Sequence, residues 1–350
     1  MAWTLIELVG GIVLAALTLK DVFDTVVVPG PNRGGLQLTR RLVFATLPLW
    51  RLAGRRRSIP TSFAPFVLLA SFVIWMLLLA LAFGLMAHAL RSDFRPPPRS
   101  FFDAVFLVAS GLVTLGLSGV EASGAVRVVV LAAGFCGLAV MTMAVTYLLE
   151  VQSGIAGRDA GIIQLTTSAG APPSGVALLE RFAGLDFKEH VPEVMRKGRE
   201  WCAQVLQSHA AHPSLVYFRS KGTGPGWPAA LGALLDLALA AELLIDAPEW
   251  RGLATLLGED GGRMASSLVE QVGLQEKPAP PNLGEVDQLV SRLASAGYPV
   301  QPSPDTNAFC ARRASYAACI RALASHLGSA EAPLLGPDRR TEGDAAGGKR

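Results

Sequence analysis

The sequence predicts an all-α membrane protein, built from long apolar helices and a helical soluble region, and three observations predict it. Phe63 to Leu90 and Val128 to Leu149 are uncharged runs of 28 and 22 residues, about 42 and 33 Å long as helices, enough to span a bilayer. Between them, Phe101 to Leu112 is apolar and helical in character but too short to cross, since a span needs about 20 residues. After Glu150 the charges and prolines of a soluble domain return, with apolar residues at helical spacing.

The short run ends at Thr114-Leu115-Gly116-Leu117-Ser118-Gly119, which holds too many small residues to continue a helix. A half-length helix followed by irregular backbone is tolerated at membrane depth only where protein or a water-filled cavity surrounds it. That geometry is a re-entrant pore loop. The expected fold class is therefore a helix, re-entrant pore loop, helix module with an extra N-terminal transmembrane helix and a helical cytosolic C-terminal domain.

Composition agrees. Hydrophobic residues make up 51% and charged residues 17%, where soluble domains carry about 25% charged. Up to Glu150 there are 12 Lys and Arg against 7 Asp and Glu, and afterwards 19 against 21, so the net +3 divides into a membrane half of +5 and a soluble half of −2. No basic field suited to nucleic acid exists in the soluble half. Cys136, Cys202, Cys310 and Cys319 have no close paired spacing, which favours reduced thiols and a cytoplasm-facing domain.

In chain order, residues 1–28 form the first apolar segment, interrupted by Glu7, Lys20, Asp21 and Asp24. It lacks a basic leading region and a small-residue cleavage site, so it reads as a spanning helix rather than a cleaved leader. Lys20 and Asp24 lie one helical turn apart and are expected to pair. Residues 29–61 form a basic loop carrying Arg33, Arg40, Arg41, Arg51, Arg55, Arg56 and Arg57 without an acidic residue. Basic loops stay cytoplasmic, which places the N-terminus outside a multi-pass protein of the plasma (inner) membrane. The stretch Arg33 to Arg57 is expected to meet anionic headgroups. Its arginines do not follow the every-third-residue pattern of a voltage sensor.

Residues 62–150 make up the module itself. Arg91 to Arg99 with Pro96-Pro97-Pro98 is a short turret, and Asp103 sits in the first turn of the short helix, where a carboxylate complements the helix dipole. Phe101-Phe102-Asp103-Ala104 followed by Val113-Thr114-Leu115-Gly116-Leu117-Ser118, set between two long helices, resembles the pore region of bacterial pore-loop potassium channels, whose filter reads TVGYG. The resemblance covers about Ser62 to Glu150. It implies a filter at Thr114, Leu115, Gly116, Leu117 and Ser118, where carbonyl oxygens and the Thr114 hydroxyl replace the hydration shell of a dehydrated cation. K+ is then the permeant ion, and no cofactor or other metal is implied. Leu117 stands where the family has an aromatic residue, Ser118 where it has a second glycine and Gly119 where it has an acidic residue, so a less selective cation pore stays open beside a potassium one. By the same resemblance the helix over Val128 to Leu149 lines a cavity and bends near a glycine, with Gly134 and Gly137 as hinge candidates; close helix packing is the equal alternative. Thr142 and Thr146 are candidates to face the cavity, and Glu121 to draw cations to the mouth. One chain supplies one filter strand, so a ring of identical subunits is required, and the family precedent is a homotetramer.

Residues 151–327 are expected to be the cytosolic helical domain. It opens with a glycine-rich connector, Ser153 to Ser174, in which Ser174 is a helix cap. Helices follow near Val176 to Ala183, Val191 to His209, Pro228 to Asp246, Trp250 to Val272, Leu283 to Ala296 and Asn307 to Leu327. Leu231 to Ile245 is apolar nearly all round and reads as the core helix, since Asp236, Glu242 and Asp246 oppose a bilayer span. His209 and His212 with Cys202 are weak metal candidates and read better as exposed histidines. Gly222-Thr223-Gly224-Pro225-Gly226, after a possible strand Leu215 to Phe218, lacks the spacing of a nucleotide loop. Residues 328–350 are expected to be a disordered tail. No constellation of catalytic residues points to an enzyme. The expected function is passive cation transport; the alternative is a non-conducting membrane receptor or scaffold with a helical signalling domain whose ligand is unknown.

Overall fold

The computed structural model describes residues 2–28, 41–42, 45–46, 63–116, 119–218, 226–275 and 283–336. The described chain divides into two compact units, one holding the residues up to 152 and the other those from 153 onward. Most of the basic loop, including Arg33, Arg40 and Arg51 to Arg57, lies outside the described residues.

The first unit contains α1 (Ala2–Val26), α2 (Phe63–Ala89), the short α3 (Phe101–Leu112) and the first part of α4 (Val126–Ala169). Helices α1, α2 and α4 are each long and apolar enough to cross a membrane, and α3 is not. Helices α1 and α2 run antiparallel, because Glu7 meets His88 near one end while Asp21 meets Trp75 further along. Their backbones approach closely at Gly11, where a Cβ would lie 2.6 Å from the Ala82 carbonyl oxygen. Close approach at small residues drives such packing in lipid, where apolar burial gives no net gain. The Lys20 ammonium bonds Asp24 at 2.6 Å, one turn along, as their spacing implied.

The core of this unit gathers Trp75, Leu79, Phe83 and Met86 of α2, Ala104, Val108 and Leu112 of α3, and Ala133 and Val140 of α4. A two-stranded antiparallel ribbon, β1 (Phe94–Arg95) with β2 (Glu121–Ala122), pairs the chain before α3 with the chain before α4. It anchors Phe94, which is buried.

Helix α4 corrects one expectation. Instead of ending near Leu149 and giving way to a glycine-rich connector, it runs without a break to Ala169. Gly154, Gly157 and Gly161 recur at helical spacing, and where a Cβ would project they meet Leu215, the Gln204 side chain and the Trp201 indole at 3.0, 2.3 and 2.2 Å. Tertiary packing against that face overrides a propensity cost of about 1 kcal/mol per glycine. Arg158, 2% exposed, is held there by the Leu215 carbonyl and by Asp159.

The second unit is a helical bundle: the end of α4, then α5 (Gly175–Gly184), α6 (Val191–Ala211), α7 (Trp227–Leu243), α8 (Pro248–Val272), α9 (Leu283–Ser295) and α10 (Thr306–Leu327). Helix α7 is its core, buried from Trp227 to Ala241 and packed against α5, α8 and α10. It ends before Asp246, whose amide turns away to the Pro299 carbonyl at 2.7 Å. Ser174 caps α5 as its position implied, accepting the Ala177 amide. Two further expectations are corrected. Pro213–Tyr217 is a 3₁₀ turn, not a strand, because the Pro213 ring suits a helical first turn and lacks the amide a strand needs. Residues 328–336 are packed rather than disordered: Leu334 is buried, its carbonyl accepts the Ser174 hydroxyl at 2.9 Å, and Arg292 donates to the Leu335 carbonyl at 2.5 Å. Residues 337–350 lie outside the described residues.

Candidate functional site

The segment after α3 is positioned by how that helix begins and what it leans on. At its start the Ser100 hydroxyl accepts the Asp103 amide at 3.1 Å, and the Asp103 carboxylate accepts the Ser100 amide at 3.0 Å. This reciprocal box satisfies amides that a helix start leaves without partners, and it adds a carboxylate at the positive dipole end. Along its length α3 is gripped from both sides. A Cβ at Gly84 of α2 would lie 2.4 Å from Val105, and one at Gly137 of α4 would lie 1.9 Å from the Leu112 carbonyl oxygen. The opposite face presents Phe102 and Phe106, 79% and 67% exposed.

At its end the backbone folds back. The Thr114 amide donates to the Gly111 carbonyl at 3.0 Å, and the Leu115 and Gly116 amides both donate to the Ser110 carbonyl at 2.8 and 3.1 Å. Thr114 and Gly116 adopt φ of 62° and 63°. For a threonine that region costs about 1 kcal/mol or more, because Cβ crowds the following carbonyl. The amides of this turn are thus consumed by the helix end, while among the described residues no hydrogen bond ends on the carbonyl oxygens of Thr114, Leu115 or Gly116. All three residues are exposed, Leu115 to 80%. Acceptors without donors are the groups a dehydrated cation can use. Leu117 and Ser118, the other two filter candidates, lie outside the described residues.

The ribbon closes this loop at its base. Its register sets Arg95 opposite Glu121. The Ser123 amide and hydroxyl both donate to the Asp93 carbonyl, at 2.9 and 2.7 Å, and Arg127 Nε donates to the Ala122 carbonyl at 2.7 Å. Sequence reasoning missed the ribbon because two-residue strands carry no periodicity.

The two glycines of α4 separate. Gly137 is buried against the end of α3, whereas a Cβ at Gly134 would sit an ordinary 3.6 Å from the Gly111 carbonyl oxygen. Thr142 and Thr146 are exposed, with hydroxyls bonded to the carbonyls of Leu138 and Thr142 one turn back. The neighbouring exposed stripe holds Leu131, Phe135, Leu138, Val145 and Leu149.

Two pairs that the sequence did not flag cross from α1 to α2. Asp21 is 1% exposed and accepts the Trp75 indole N–H at 2.9 Å; Glu7 bonds His88 Nδ1 at 2.9 Å. Ionisable residues inside an otherwise apolar span were the available signal.

In the second unit, His209 is buried rather than exposed, with Nδ1 bonded to the Val205 carbonyl at 2.8 Å. Burial, with the Arg158 charge nearby, pushes its imidazole down to about 3. Cys202 is also buried, and desolvation pushes its thiol up to about 12. Among the described residues no group of His, Cys, Asp and Glu could hold a metal ion. Asp236 of α7 is 2% exposed and receives Arg313 Nε at 3.0 Å and the Tyr316 hydroxyl at 2.5 Å. Burial pushes this carboxyl up while Arg313 and Tyr316 oppose it, and it pushes the Tyr316 phenol well above its ordinary value. The Gly222 to Pro225 part of the glycine-rich loop lies outside the described residues.

Comparison with protein-family models, with curated proteins and with solved structures found no match.

Proposed function

We propose that this chain is one subunit of a homotetrameric cation channel, potassium-conducting by its filter chemistry, in which the backbone after α3 lines the ion path. The observation that carries the reading is the donor and acceptor balance of that turn: amides of Thr114, Leu115 and Gly116 are turned back into the helix end, while their exposed carbonyls receive no hydrogen bond among the described residues. Four such turns around an axis would present oxygens in place of the water shell of the ion. The exposed aromatic face of α3 and the exposed stripe of α4 are then the surfaces that neighbouring subunits and lipid cover. The C-terminal dipole end of α3 adds a negative potential that favours a cation nearby. In this reading the N-terminus is outside, the basic loop rests on anionic headgroups and the helical bundle is cytoplasmic.

The test is flux. Purified protein in liposomes is expected to pass K+ down its gradient, with Na+ slower, and Gly116→Val is expected to abolish transport while leaving the protein folded. At φ 63° only glycine is unstrained. Undiminished transport by Gly116→Val, or none by the natural protein, rejects the proposal and returns the receptor or scaffold alternative.

A further inference from the structure

Helix α1 lies outside the unit of long helix, short helix and long helix, yet a run of contacts ties it to the stretch of α4 that carries Thr142 and Thr146. Asp21 stands inside the apolar span of α1, 1% exposed, and its carboxyl accepts the indole N–H of Trp75 on α2 at 2.9 Å. The Trp75 ring is buried and meets the Phe72 ring one turn back, with centres 5.5 Å apart. Phe72 in turn meets Tyr147 of α4, with centres 6.3 Å apart. Tyr147 is buried although Val145, Leu148 and Leu149 around it are exposed, so this side chain seats that stretch of α4 on α2. The buried hydroxyls of Thr18 and Ser71 do not cross between helices, because each bonds a carbonyl one turn back on its own helix. The indole cannot turn away from Asp21 without stranding its N–H in an apolar interior, which is costly. The bond thereby fixes the ring on which Phe72 rests, and Phe72 fixes the seat of Tyr147.

We propose that Asp21 is a positioning residue for transport: by bonding Trp75 it fixes the seat of Tyr147 and so holds the inner half of α4 back against α2, leaving the ion path open. The inference rests on the channel reading, in which α4 lines the path. Thr142 and Thr146 are then on its path side, together with the exposed Leu138 and Leu149. Tyr147 lies roughly 120° around the helix from the two threonines, at 3.6 residues per turn. Loss of the seat lets each α4 lean toward the axis, where Leu138 and Leu149 narrow the path. Ionisable residues inside spans are rare and mark functional positions, which is why Asp21 and not an apolar side chain makes this contact.

The experiment records single channels of the full chain in planar bilayers with K+ on both sides. Unit conductance reports the filter, and the fraction of time open reports the position of α4. Asp21→Leu and Trp75→Phe each remove one partner of the bond and are expected to lower the open fraction roughly fivefold at unchanged unit conductance, the scale of one hydrogen bond. The two together are expected to go no lower than either alone, since both break the same bond. Asp21→Asn, whose side-chain carbonyl still accepts the indole N–H, is expected to keep the natural open fraction. A residue that served the fold alone would change the number of channels and leave the open fraction of each as it was. An open fraction unchanged in Trp75→Phe, or as low in Asp21→Asn as in Asp21→Leu, overturns the positioning role and leaves the channel standing. If Asp21→Leu does not insert, Trp75→Phe and Asp21→Asn decide. Absence of channel currents from the natural protein overturns both.

Discussion

The two glycines of α4 give a sharp test of what holds the short helix in place. A Cβ added at Gly137 would sit 1.9 Å from the Leu112 carbonyl oxygen and 2.7 Å from its carbonyl carbon. Both are backbone atoms, so no rotamer change relieves the clash, and α4 and the end of α3 must separate. Overpacking of this kind costs about 3 kcal/mol, the upper part of its usual range. At Gly134 the nearest atom would be 3.6 Å away, an ordinary contact. There Gly→Ala removes only backbone entropy, a gain of about 0.5–1 kcal/mol in a helix interior. Gly137→Ala should therefore lower the unfolding midpoint of detergent-purified protein and Gly134→Ala should hold or raise it, a gap of roughly 4 kcal/mol between sites one turn apart. In flux assays Gly137→Ala should also lose transport, because the turn at Thr114 rides on the displaced Leu112. Equal effects at the two positions would refute this reasoning and favour a bending role shared by both.

Three further outcomes follow from the same geometry. Ser100→Ala removes half of the capping box on α3 and should cost about 1 kcal/mol, read as a lower unfolding midpoint and faster exchange of the Asp103 amide. Asp236→Leu strands the Arg313 guanidinium beside an apolar core and should destabilise the second unit by about 3 kcal/mol in denaturant titration, while Asp236→Leu with Arg313→Leu should recover part of that loss. The buried His209 imidazole titrates near 3 in the folded chain, against about 6.5 when unfolded. Between those values the unfolded chain binds a proton that the folded chain refuses. Stability should thus fall as pH drops below about 6.5, by up to about 1.4 kcal/mol per pH unit from this group. His209→Phe should remove that part of the slope, and an unchanged slope would show that the group does not titrate as its burial implies.

How far the architecture could be read in advance varies with the signal each element carries. The long apolar helices over Phe63 to Leu90 and Val128 to Leu149 were legible because twenty or more uncharged residues have few other stable settings. Helix α7 was legible for a related reason: an apolar run broken by Asp236 and Glu242 belongs in a protein core that can supply Arg313 and Arg312 as partners. The extension of α4 was not legible, since Gly154, Gly157 and Gly161 read as flexibility until Trp201 and Gln204 are seen against them. The packed stretch to Leu334 and the burial of His209 were hidden likewise, because their partners lie far away in the chain. At the candidate site the short helix and its Thr114 to Ser118 ending stood out, but the ribbon between Phe94 and Ala122 did not.

The amino-acid order by itself determined which segments are apolar enough to cross a bilayer, where α3 starts at Ser100 and the change of character after Glu150, since these follow from local composition and backbone preference. Only the tertiary structure decided that Glu7 and Asp21 bond His88 and Trp75, that Gly137 receives the end of α3, and that the amides of Thr114 to Gly116 turn back onto the carbonyls of Ser110 and Gly111. Each of those depends on groups distant in the chain or on a turn geometry that residue order does not encode.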